Sequence, residues 1–223
     1  MVEKITTYRM RCVEDGVDPA IFERVFDFYA SNKHNFNAER DPMELLDSLG
    51  NGSAVYIEGP NKELVAASLT FRHSARLTEM GGTRVTLNGF GLQKPMKWYQ
   101  AVSDHLFRPP EDMYFAVVTK GNIGSKKNIL RCGFEQIDIS SDFLFDLGIV
   151  STPDELSNKE IFKFERDNLG EVCCQLLLLN ENPRLSNKHG EEILLRVEGK
   201  LCRHTGLRKI LQRLCSDTKP KTI

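Results

Sequence analysis

The sequence has no excess of either charge. Its 223 residues carry 30 lysines and arginines against 31 aspartates and glutamates, a formal net charge of −1. Such a balance gives no global electrostatic pull toward nucleic acid or an anionic membrane. There is no apolar run near the ~20 residues that a membrane-spanning helix needs. The opening stretch Met1–Thr7 holds no apolar signal-peptide core, so a cytoplasmic protein is expected. Cys12, Cys132, Cys173, Cys174, Cys202 and Cys215 form no regular framework, and free thiols in a reducing compartment are the expectation. Cys-x-x-Cys, His-Glu-x-x-His and Gly-x-Ser-x-Gly are absent, which argues against a zinc site and against a serine-hydrolase elbow. Internal repeats and low-complexity segments are also missing.

What remains is ordinary globular composition, 40% hydrophobic and 27% charged, with clear local punctuation. A strand is expected over 4–13. Asp18-Pro19 and Asp41-Pro42 each read as an N-cap followed by proline at the first helical position. Phe22, Val25, Phe26 and Tyr29 give the first helix an apolar stripe, and Leu45, Leu46 and Leu49 give one to the second, which Gly50-Asn51-Gly52 ends. Ser53–Glu58 and Leu64–Phe71 flank a Gly-Pro-Asn-Lys turn and predict a hairpin. Gly81-Gly82 reads as a break, Arg84–Leu92 as the next strand, and Pro95 as the opening of a helix that carries Trp98, Val102, His105 and Leu106. Tyr114–Val118 is a continuous apolar run, as a strand buried on both faces requires. A short helix over 124–132 stops at Gly133, and a last strand runs over 135–139, continued by 143–147. The order β-α-α-β-β-β-α-β-α-β implies an α/β fold: a mixed, mostly antiparallel central sheet flanked by helices.

One segment carries a family resemblance. After the apolar strand Tyr114–Val118 come Asn122, then Ser125 three positions on, then Gly133-Phe134 at eleven and twelve. With the element order, this resembles the GCN5-related N-acetyltransferases over about residues 4 to 147. The resemblance implies an acyl-coenzyme A N-acyltransferase-like fold, with acetyl-coenzyme A or another acyl-coenzyme A as substrate and an amine as acceptor. It puts Asn122 and Ser125 beside the cofactor, at free backbone N–H groups where a strand ends and a helix begins.

Two departures bear on activity. The family's Arg/Gln-x-x-Gly-x-Gly/Ala phosphate loop is replaced by Gly89-Phe90-Gly91-Leu92-Gln93-Lys94-Pro95-Met96-Lys97, in which proline removes one amide donor. Gly91, Leu92 and Lys94 are the remaining cofactor-binding candidates; Lys94 and Lys97 offer point charges, or are simply solvated, with the glycines marking a strand bulge. The family's leaving-group tyrosine is replaced by Ile129, which cannot donate a proton. Tyr99 is the nearest substitute, unless its ring only fills the core, and Tyr56 is similarly ambiguous. Glu58, Glu79 and His73 are candidate general bases, each with a solvated or structural alternative. Cys132 reads as a buried thiol before it reads as a nucleophile.

The expected division is an acyltransferase-like domain over 1–150 and an α/β extension over 151–223 that packs on it, covering a sheet edge or making a homodimer contact. Basic residues Lys200, Arg203, Arg208, Lys209 and Arg213 flank an apolar stripe near the end, read as a solvated helix face or a contact for an acidic partner or nucleic acid. Acyl transfer to an amine by direct attack on the thioester is the first functional expectation. The alternatives are a degenerate, non-catalytic binding or scaffold module, or a transferase using another donor such as acyl-carrier protein.

Overall fold

The computed structural model describes residues 5–12, 19–31, 42–50, 54–74, 76–107, 109, 112–139, 141–148, 152–199 and 209. The readings at Asp18, Asp41, Asn51-Gly52, Cys202 and Cys215 lie outside them, as does the terminal stripe with its basic cluster, apart from an exposed Lys209. Strand β1 (Thr6–Cys12) precedes helices α1 (Pro19–Ser31) and α2 (Pro42–Gly50) and the meander β2 (Ala54–Glu58), β3 (Leu64–Arg72) and β4 (Leu77–Val85). Two crossovers follow, α3 (Gln93–Phe107) to β5 (Met113–Thr119) and α4 (Ile123–Arg131) to β6 (Phe134–Ile137). Short helices α5 (Ser141–Asp146) and α6 (Pro153–Ser157) lead into β7 (Lys159–Phe164), then α7 (Leu169–Glu181), β8 (Arg184–Ser186) and β9 (Glu192–Val197). The strands make one sheet in the order β6-β7-β5-β4-β3-β2-β1-β9-β8. Among the described residues only β4–β5 and β1–β9 pair in parallel, so the sheet is mixed and mostly antiparallel, with helices on its faces.

Period-two alternation divides the core between those faces. Val55 and Ile57 of β2 join Met80, Met96, Val102 and Tyr114 beneath α3. Ala54 and Tyr56 join Leu45, Leu49 and Val25 beneath α1 and α2. The buried line of α1 is Ile21, Val25, Phe28 and Tyr29, rotated from the expected stripe. Phe22 and Phe26 lie at its margin, their rings stacked at 6.1 Å.

The chain past residue 151 enters the same sheet. β7 pairs with β5 on one side and β6 on the other, and β9 lies beside β1. Helix α7 lays Leu169, Val172, Leu176 and Leu179 into the main core. Each such side chain, fully buried, contributes about 1.5–3 kcal/mol. With the sheet below and α7 above, α3 is buried continuously from Pro95 to Asp104.

Three expectations are corrected. β4 runs over Leu77–Val85, straight through Gly81-Gly82, and Gly89–Leu92 is a turn with φ of +93° at Gly89 and +69° at Gly91. The segment at 143–146 belongs to helix α5 and Leu147 to the turn after it, because Phe143, Leu144 and Leu147 fall at helical spacing against Phe115 and Ile161. Finally, Cys174 is disulfide-bonded, whereas Cys12, Cys132 and Cys173 keep their thiols.

Candidate functional site

The β4–β5 ladder is short. Parallel pairs Leu77↔Met113, Thr78↔Tyr114 and Glu79↔Phe115 join the strands. Beyond them β4 continues to Val85 paired with β3, and β5 continues to Thr119 paired with β7. A wedge therefore opens in the sheet after Glu79. Its cause is local: Ala67 faces Arg84 but Leu69 faces Gly81, so β4 carries one residue more than β3 over this stretch. Such a bulge bends and twists its strand away from a neighbour. Gly82 takes the extra turn with φ of +57°, and a Cβ there would lie 3.3 Å from Leu69 Cδ1. Helix α1 braces the bulge: the Tyr29 hydroxyl donates to the Gly82 carbonyl, and the Arg84 guanidinium donates to the Tyr29 carbonyl while lying 4.7 Å from the Tyr29 ring.

The wedge has two flanks. Leu77 packs in the cluster beneath α5 while Met80 packs beneath α3, so alternation places Glu79 on the α5 face. Glu79 Oε2 lies 3.0 Å from His73 Nε2, and the two side chains are 7% and 20% exposed. The His73 ring stacks on Phe115 at 5.9 Å, and Phe143 meets the same ring edge-on at 5.7 Å. A buried carboxylate joined to an imidazole that reaches solvent can accept a proton and pass it outward.

On the other flank stands Lys97, buried at 3% exposure rather than solvated. Its Nζ donates to Thr83 Oγ1 at 3.1 Å and lies 4.0 Å from Met80 Sδ, both on the part of β4 that β5 has left. From Thr83 a chain of polar contacts runs under α3. Thr83 Oγ1 and Ser68 Oγ are 2.7 Å apart, Ser68 donates to Gln100 Oε1 at 2.7 Å, and Gln100 Nε2 donates to Thr70 Oγ1 at 3.0 Å. Thr70 and Tyr114 both donate to Asp104 Oδ2, at 3.1 and 2.8 Å. Burial pushes the Lys97 ammonium down to about 8, with the nearby Cys132 thiol opposing the shift. Burial likewise pushes the Cys132 thiol up to about 11, against the pull of Lys97 and Lys94, which suits a structural thiol.

At the open end of β5, Asn122 caps α4, its Oδ1 accepting from the Ser125 N–H at 3.1 Å. Gly133 holds φ of +85° past the other end of α4, where a Cβ would meet Asn168 Cβ at 3.0 Å. Ile129 faces the core. Gln93 Oε1 accepts from Asn128 Nδ2 at 2.7 Å, tying the start of α3 to α4. Gly91 has open space around it, Leu92 is buried, and Lys94 Nζ lies 4.9 Å from the Trp98 ring. Between the start of α3, the end of α4 and α7 lies a cleft of about 450 Å³, with Lys94, Arg131, Cys132 and Glu171 in its walls.

Glu58 and Tyr99 are placed elsewhere. Glu58 is ion-paired with Arg24 at 2.7 Å and Arg11 at 3.4 Å. Tyr99 is fully buried, its hydroxyl donating to the Glu198 carbonyl at 3.1 Å. Tyr56 lies beside Glu58, and burial, then the Glu58 charge, raises its pKa. Lys97, Gln100 and Asp104 escaped sequence reasoning as a set. Their signal was a polar line at i, i+3 and i+7 in a helix otherwise rich in core residues.

No family model matches the sequence, and no curated protein does. Solved structures do. An N-acetyltransferase from Staphylococcus aureus Mu50 superposes with a TM-score of 0.50 at 10% identity, over 71% of this chain and 97% of its own. Arabidopsis thaliana Naa50, in complex with the bisubstrate analogue CoA-Ac-MVNAL, superposes with a TM-score of 0.51 at 13% identity, over 71% and 99%. The chain therefore has the fold of the GCN5-related N-acetyltransferases.

Proposed function

We propose that this chain is an acyl-coenzyme A-dependent N-acyltransferase in which an amine attacks the thioester directly within the β4–β5 wedge. The observation that carries the reading is the parting of β4 from β5 at Glu79, with a carboxylate–imidazole pair at the point of divergence. In this reading the thioester lies between the two strands. Backbone groups of β4 beyond Glu79, which β5 does not take up, polarise its carbonyl. Glu79 accepts the proton of the attacking amine, and His73 passes it to solvent. The wedge holds both reactants at reacting distance, which removes part of the entropic barrier.

The cofactor arm lies along the start of α4, with the Asn122 amide and Ser125 beside it. The turn at Gly91 and Leu92 lets the chain approach closely. Lys94, helped by Arg131 across the cleft, supplies charge for phosphate in place of a glycine-rich loop. Glu58 serves the fold in this reading, and so does Tyr99. The bisubstrate complex of the Arabidopsis protein supports direct attack as a chemistry this fold accommodates.

The first test is calorimetric titration with acetyl-coenzyme A and coenzyme A, followed by release of coenzyme A in the presence of polyamines, peptide N-termini and lysine peptides. Micromolar binding that weakens in Asn122→Ala, with turnover on one acceptor class, supports the reading. A chain that binds neither compound is a scaffold module or uses another donor, as Ile129 and the missing loop would favour.

A further inference from the structure

A buried ammonium is costly, and this one is poorly matched. Lys97 offers three N–H donors. Among the described residues it has one oxygen acceptor, Thr83 Oγ1, and no carboxylate at ion-pair distance. Structural lysines this deep are normally paired. The donors left over lie where β4 has lost β5, on the flank of the wedge opposite Glu79. That arrangement suits a group whose anionic partner arrives with the reaction.

We propose that the Lys97 ammonium is the proton donor to the coenzyme A thiolate expelled from the wedge. The assignment rests on the acyl-transfer reading above and adds to it the acid that Ile129 cannot be. The amine nitrogen bonds to the thioester carbon, and its proton goes to Glu79. The C–S bond breaks, its electron pair stays on sulfur, and sulfur takes a proton from Lys97 Nζ. Amide and thiol leave, Lys97 recovers a proton from water, and Glu79 returns one through His73.

The surroundings of Lys97 fit the task. Just past α4, Cys132 is the titratable group that faces it. From β4 come Met80 and Thr83, with Ser68 of β3 bonded behind Thr83, and none of the three titrates. Along α3, Lys94 lies against Trp98, and Asp104 is bonded to Thr70 and Tyr114. From α7, Cys173 is buried, with its thiol pushed up to about 12 by burial. An acid lowered to about 8 is matched to a thiol leaving group far better than an ordinary lysine is.

The test uses the full chain as wild type, Lys97→Met and Thr83→Val. Coenzyme A release is followed from pH 6 to 10, with acetyl-coenzyme A binding measured alongside by calorimetry. Wild-type turnover should fall about tenfold per pH unit above about pH 8, as the donor loses its proton. Lys97→Met should bind acetyl-coenzyme A within about threefold of wild type, lose roughly 100-fold or more in turnover at pH 7, and lack the alkaline limb. Should Lys97→Met fail to fold, Thr83→Val decides. It removes the oxygen that supports the ammonium, so the alkaline limb should move to lower pH. Turnover that survives Lys97→Met, or a limb that Thr83→Val leaves in place, overturns the donor assignment alone. A wild type that does not bind acetyl-coenzyme A overturns the transfer reading and this assignment with it.

Discussion

Glu58 and Glu79 make a natural comparison. Each is a glutamate on a strand of the same sheet, and each is 5% exposed. Their partners differ. Glu58 meets Arg24 and Arg11, and Arg11 also holds Glu198 at 2.8 Å, so this cluster links α1, β1, β2 and the chain just past β9. Glu79 meets a single histidine, at the last rung before two strands diverge. A guanidinium stays protonated, so a proton reaching Glu58 must displace an ion pair. An imidazole can take a proton and give it back. Burial does not distinguish the two carboxylates; the partner and the backbone around each do.

Neutralising each carboxylate in turn separates the two roles most sharply. Glu79→Gln should lower coenzyme A release by roughly 100- to 10,000-fold, the range of general-base catalysis, with little change in melting temperature. Equal losses from Glu58→Gln would sink the distinction.

Next in size is a stability effect at Lys97. Its folded pKa of about 8 lies below the unfolded value of 10.5, so below pH 8 folding carries the full cost of burying the charge. That cost is relieved as pH rises from about 8 toward 10.5, and at about 1.4 kcal/mol per unit it amounts to about 3 kcal/mol. Urea titrations should show Lys97→Met more stable than wild type by that order at pH 7, with the advantage gone near pH 10.5. A residue that destabilises the fold and is needed for turnover marks a functional site. Glu58→Gln should be smaller, about 1–2 kcal/mol of stability with turnover within a few-fold, because Arg11 and Arg24 remain about a third exposed and water screens the loss.

The sequence showed some of this and hid the rest for physical reasons. Tyr114–Val118 was readable as the central strand because burial on both faces forces an unbroken apolar run. Gly133 was readable because helix ends demand positive φ. β4 was misplaced because its glycines, which elsewhere mark turns, here form a bulge inside a strand. The insertion of β7 between β5 and β6 joins residues far apart in the chain, which no local pattern records. Glu79 stood among the candidates, but nothing in its neighbours set it above Glu58, since the β4–β5 divergence is a tertiary fact. Lys97 looked like a surface lysine because the α7 segment that helps bury its helix comes more than 70 residues later.

The smallest effect tests the residue on which the family resemblance leaned. Asn122 has two polar ends. Its Oδ1 caps α4 through the Ser125 N–H, while its Nδ2 makes no hydrogen bond among the described residues. Asn122→Ala removes both and should cost about 1 kcal/mol of stability, the usual worth of an N-cap. Asn122→Asp keeps an oxygen for the cap and adds charge that the helix N-terminus favours, so stability should return. It does not restore the amide donor. If that donor serves the cofactor arm, acetyl-coenzyme A affinity should stay about five- to tenfold weak in Asn122→Asp, the loss expected for one hydrogen bond. If affinity recovers together with melting temperature, the asparagine is a cap alone, and the start of α4 is as purely structural as the arginine cluster around Glu58.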